Sequence, residues 1–144
     1  MMRMFIGAII EESVFDTIVL AGLPVIAERV SKMPTDSDAT VWHVRWYRVE
    51  ESALRIRLPE LSKAMRPRWY AHFWEGDDLC VILAGKAFWA KISDRSSHAE
   101  FLDYGDTVGV ERKWTKTVPT TIPDWVRRAM TKASPPSTSP SEYA

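Results

Sequence analysis

Residues 68–92 constrain this chain most. They run Arg-Trp-Tyr-Ala-His-Phe-Trp-Glu, then Gly-Asp-Asp, Leu-Cys-Val-Ile-Leu, Ala-Gly-Lys and Ala-Phe-Trp-Ala-Lys-Ile. At the period of two that a strand imposes, Trp69, Ala71 and Phe73 share one side, and Tyr70, His72 and Trp74 share the other. The acidic turn around Gly76 has hairpin chemistry. The segment predicts an antiparallel β-meander, and a sheet of this kind needs cover for its apolar sides. The fold expected is α+β: a mostly antiparallel sheet of five to six strands with this meander at its centre. One helix, at about 51–66, packs on one face, and a second lies near 97–109.

The rest of the chain supplies the other elements. Residues 4–10 are apolar throughout and stop at Glu11-Glu12, which suits a strand buried on both sides. Gly7 in the middle of that run points to close approach by a neighbouring backbone. Residues 25–30 form a weaker strand. Residues 41–49 alternate, with Trp42, Val44, Trp46 and Arg48 against His43, Arg45, Tyr47 and Val49. Leu54, Leu58, Leu61 and Met65 recur at helical spacing, interrupted by Pro59, which predicts a kink or a restart. Residues 12–23 read as a helical turn or loop and residues 31–40 as a surface loop. A short helix is expected at 123–130, and Gly109 sits where a helix cap belongs. A single domain over 1–130 and a disordered Ser/Pro-rich tail over 131–144 complete the expected organisation.

Composition narrows the function classes. Nineteen basic and nineteen acidic residues cancel, so nothing draws the whole chain toward nucleic acid or an anionic membrane. The charge is uneven: residues 1–40 and 69–110 are acidic, whereas 41–68 and 111–144 are basic. Such blocks pair within one copy or between copies, so a homo-oligomer is compatible with them. One cysteine, Cys80, lies in an apolar run, which excludes an internal disulfide and suits a reducing compartment. No run reaches the length of a membrane span. The expectation is a cytoplasmic protein.

Three segments carry a resemblance: Phe5-Ile6-Gly7-Ala8-Ile9-Ile10-Glu11-Glu12-Ser13, Trp69-Tyr70-Ala71-His72-Phe73, and Tyr104-Gly105 followed by Val108-Gly109-Val110. In this order they resemble a family of small bacterial proteins of unassigned function, across most of residues 4–110. The typical member has Asp at the position of His72. The resemblance implies a fold and carries no activity, cofactor or site; residues from 112 onward look particular to this chain.

The catalytic candidates are Glu11, Glu12, His43 and His72. Paired carboxylates divide acid and base work when their environments differ, but neighbours on one strand point to opposite sides. His43 and His72 lie on candidate strands, and suitable register would let the two rings share a side. The histidines show no metal-ligand spacing, so no metal is expected. Cys80 should be inert in its apolar run. Residues 104–109 follow a helix and lack a phosphate loop's Lys, so no cofactor is expected either.

Candidate ligand-binding residues are Trp42, Arg45, Tyr47, Tyr70, His72 and Trp74. Their aromatic excess suggests that one helix cannot cover both sides of the sheet, leaving a binding face for a small molecule or protein partner. Arg and Trp interleaved over 42–70 also suit bases and phosphates, but net charge and motifs argue against nucleic acid. Two functions follow. One is a binding or accessory module using the aromatic face; the alternative is a small enzyme with a Glu/His acid–base pair.

Overall fold

The computed structural model describes residues 2–32 and 41–133. The loop expected at 31–40 and the tail expected at 131–144 lie mostly outside the described residues. The chain forms β1 (Met4–Ile10), two 3₁₀ turns (Glu11–Ser13 and Thr17–Leu20), β2 (Val25–Lys32), β3 (Val41–Glu50) and α1 (Glu51–Ala64). There follow β4 (Ala71–Glu75), β5 (Asp78–Leu83), β6 (Lys86–Lys91), a 3₁₀ turn (Arg95–His98), α2 (Ala99–Thr107), α3 (Arg112–Thr115) and α4 (Asp124–Ala133). All six strands pair antiparallel in the order β2-β3-β1-β4-β5-β6. This is an α+β fold. The meander forms one half of the sheet, and the centre is the β1–β4 seam.

Gly7 makes that seam possible. It faces Tyr47 on β3 and Phe73 on β4. A Cβ there would lie 2.2 Å from the His72 carbonyl oxygen. The apolar run of residues 4–10 is a strand paired on both edges; Phe5, Gly7 and Ile9 are buried on one face, whereas Met4, Ile6, Ala8 and Ile10 are only half-buried on the other, less than the expected burial on both sides.

One face of the sheet packs on α1. Phe5, Ile9, Tyr47, Val49, Ala71, Phe73, Cys80 and Ile82 meet Leu54, Leu58, Leu61 and Met65. The helical stripe predicted for residues 54–65 is the stripe that is buried. α1 continues through Pro59, whose missing donor falls on the exposed side, where water can serve the Arg55 carbonyl.

The other face is not open. Trp46, Trp74, Leu79, Val81 and Phe88 are buried beneath Phe101 of α2, Val110, and Val126 of α4, with Val118, Ile122 and Trp125 packed around them. The expectation that one helix leaves an aromatic face exposed is therefore corrected: a second apolar layer comes from residues 99–130. Val118, Ile122, Trp125, Val126, Ala129 and Met130 thus belong to this second core layer. α2 ends as Gly109 suggests, with φ at 82°, Val110 N–H donating to the Gly105 carbonyl and Gly109 N–H to that of Asp106.

β4 begins three residues later than expected. Arg68 adopts a φ of 75°, and Trp69 N–H turns back to the Arg66 carbonyl. Pro67 and this turn occupy the place where pairing with β1 would continue.

Candidate functional site

β1 is shorter than its neighbour β3. Pairing ends at Ile10 opposite Val44, so β3 runs on through His43, Trp42 and Val41 with only β2 beside it. The His43 amide on the vacated side needs an acceptor. The chain supplies one by folding Glu11–Ser13 into a single 3₁₀ turn, held by Ser13 Oγ donating to the Ile10 carbonyl at 2.6 Å. Glu12 then accepts from His43 N–H at 2.7 Å through one carboxylate oxygen and meets His43 Nδ1 at 2.5 Å through the other.

This turn also corrects the expectation that Glu11 and Glu12 diverge. Residues in a 3₁₀ turn are rotated by about a third of a circle, less than the half turn of a strand. One ligand atom each from Glu11, Glu12 and His43 lies within 4.8 Å of the others. Spacing in the sequence gives no sign of this group of potential metal donors. It already has a cation, however. Arg45 Nη2 lies 3.7 Å from Glu11, and Arg45 Nε lies 3.5 Å from Glu28 of β2.

The electrostatics favour an ionised Glu12. Its partial burial alone would raise the carboxyl, but the amide and ring of His43 outweigh this and hold it below the ordinary carboxylate value. An ionised Glu12 requires a proton on Nδ1. For the neutral ring, that leaves Nε2 as the basic lone pair, on a side chain that is 48% exposed. Tyr47 lies two residues beyond Arg45 on the same side of β3. It is fully buried and makes no well-formed hydrogen bond through its hydroxyl. Burial pushes that hydroxyl's pKa up, while the neighbouring Arg45 guanidinium pulls it down.

The chain matches no family model, no curated protein and no solved structure.

His72 does not belong to this site. Ala8 pairs with His72, and Ile9, the next residue of β1, pairs with Arg45. Successive residues face opposite ways, so His72 lies on the α2/α4 side, and His43 and Arg45 lie on the α1 side. The two histidines cannot share a face, and no pair of Glu11 or Glu12 with His72 forms. His72 is 9% exposed, stacks on Trp74 and donates from Nε2 to the Pro119 carbonyl at 2.5 Å. Burial drives its pKa down to about 4, against the opposing pull of that carbonyl. It is a neutral pin for the segment between α3 and α4.

The other aromatic candidates are also engaged internally. Trp74 meets Trp46 edge to face, and Tyr70 donates its hydroxyl to the Trp114 carbonyl. Trp42 is half-buried against Trp69. Much of the basic block is likewise occupied: Arg55 lies over the Trp89 ring, Arg57 donates to the Val19 and Ala21 carbonyls, and Arg66 lies over Phe15. Cys80 is fully buried with its thiol pushed up to about 12, as an inert cysteine should be. Glu28 is the residue that sequence reading missed. It reaches Arg45 because the two are directly paired across β2 and β3.

Proposed function

We propose that the protein is a small acid–base enzyme whose centre is His43, with Glu12 as its positioning residue. The observation that supports this reading is the double grip of Glu12 on His43, through backbone amide and ring Nδ1. A carboxylate on Nδ1 selects the tautomer and stabilises the imidazolium that forms when Nε2 accepts a proton. The substrate class is a small polar molecule or water whose O–H is within reach of Nε2. Arg45, tied only loosely to Glu11 and Glu28, supplies positive charge beside it. The binding-module reading loses its motive, because Tyr70, His72 and Trp74 are occupied inside the protein.

A second reading has its own observation. The closeness of Glu11, Glu12 and His43 suits a divalent cation, at the cost of displacing Arg45 from Glu11. Both readings need water around the site. No helix among the described residues is long and apolar enough to cross a membrane. The buried, reduced Cys80 suits the cytoplasm.

The test uses a generic activated ester, p-nitrophenyl acetate. The wild-type protein is expected to hydrolyse it faster than an equal concentration of free imidazole. His43→Ala is expected to remove that excess, and Glu12→Ala to lower it at least ~10-fold. Saturating zinc should block the reaction if the three donors close on a cation. An unchanged rate in His43→Ala would reject the proposal.

A further inference from the structure

A second site lies on the opposite face, where the segment after α3 crosses the ends of β5 and β6. A cleft of about 260 Å³ opens there. Leu79, Ile92 and Val118 give it an apolar wall. The rest of its lining is basic or hydroxylated: Arg95, His98 and Lys116, with Thr115, Thr117 and Thr120. Among the described residues, no carboxylate lines it. Asp94, beside Arg95 in the chain, accepts from the backbone and hydroxyl of Ser96 and acts electrostatically on His98.

Two local details set this cleft apart from an ordinary basic surface. Arg95 Nη1 donates to the Lys116 carbonyl at 3.3 Å, which ties the turn to the crossing segment and leaves the other guanidinium donors for a ligand. Thr115 is 1% exposed and its Oγ1 has no hydrogen-bond partner. Folded proteins seldom leave a buried hydroxyl unsatisfied, because it has lost its water without replacement. Thr115 is among the residues that line the cleft, and a ligand oxygen there could partner its hydroxyl once the side chain turns to meet it.

We propose that this cleft binds the phosphate group of a small phosphorylated metabolite. Two cations and three hydroxyls offer more donors than a two-oxygen carboxylate needs. A phosphate monoester brings nearly two negative charges and three acceptor oxygens. The cleft is smaller than the pockets that hold drug-sized ligands, which points to a compact molecule. The proposal is independent of His43, which lies on the other face of the sheet.

Inorganic phosphate, titrated into ¹⁵N-labelled full-length protein at constant ionic strength, tests it. Saturable shifts are expected at the amides of residues 95–98 and 115–118, with half-saturation near ~1 mM. Glycerol 3-phosphate should bind more tightly than phosphate, and weaker binding would overturn the monoester assignment. The R95Q/K116Q double variant should weaken binding at least ~10-fold. Thr115→Val should also weaken it, while its thermal midpoint without phosphate is unchanged or higher. That combination separates a ligand-facing hydroxyl from a structural one. Linear shifts, shifts reproduced by chloride, or full affinity in the double variant would overturn the proposal.

Discussion

Gly7→Ala is expected to destabilise the protein by about 3 kcal/mol or more, a large share of a small domain's total stability. The added methyl would sit 2.2 Å from the His72 carbonyl oxygen and 2.6 Å from Cγ of Phe73. Neither can move away cheaply. The carbonyl belongs to the backbone of β4, which pairs with both β1 and β5. The Phe73 ring is fully buried in the α1-side core. Relief requires the central seam of the sheet to open, which would expose apolar groups on both faces. Gly105→Ala is the matched control. Gly105 lies inside α2, and its nearest neighbours to a new Cβ are 3.9 Å away, an ordinary contact. That substitution is expected to stabilise by roughly 0.5–1 kcal/mol through helix propensity alone. Urea unfolding of the two variants measures both effects. Equal midpoints would show that the seam is not tight.

The second large effect is a loss of stability in mild acid, carried by His72. Its folded pKa of about 4 lies below the ordinary value of 6.5. Above pH 6.5 the ring is neutral in both states, and the full stability is present. As pH falls from 6.5 toward 4, the unfolded chain binds a proton that the folded chain refuses, so stability drops. Below about 4 both states are protonated and His72 causes no further loss. The difference in pKa corresponds to a loss of about 3 kcal/mol over this window. Glu12 and Asp78 have pKa values lowered from 4.5 and 3.8, so their carboxylates begin to lose their contributions only as pH falls to about those ordinary values and below. The upper part of the window therefore separates His72 from them. His72→Asn keeps a donor for the Pro119 carbonyl without a titrating ring. Its stability should fall by about 2–3 kcal/mol less than that of the wild type between pH 7.5 and pH 4. Parallel pH profiles would show that His72 is reached by water or protonated in the fold.

These two predictions also mark what can be read from the residues alone. Gly7 announces a close neighbour because nothing else explains a glycine inside an apolar strand, and it has one. The Leu54–Met65 stripe and the hairpin at Gly76 follow from period and turn chemistry, and both form. The burial of His72 was not legible. It depends on β1 inserting between β3 and β4, and on residues 99–130 folding back over the second face. Those contacts join segments far apart in sequence, and no local pattern encodes them.

The site was half legible. Glu11, Glu12 and His43 stand out as residue types. Alternation alone, however, assigns the two glutamates to opposite sides. The strand gives way at Ile10 to a 3₁₀ turn, and Val14, just after that turn, pairs with Met65, just after α1. Only then can Glu12 turn back to cap β3. The cleft at Arg95 and Lys116 had still less to mark it, since its lining comes from three separate stretches.

The central claim is that Glu12 fixes the His43 ring with its proton on Nδ1 and its lone pair on Nε2. Long-range ¹H–¹⁵N correlation of the imidazole nitrogens reads this directly, at a pH where the ring is neutral. The wild-type protein should show His43 as the Nδ1–H tautomer, and Glu12→Ala should shift it toward the Nε2–H form that a free imidazole side chain prefers. An Nε2–H tautomer in the wild type, or the same spectrum in both proteins, would contradict the account.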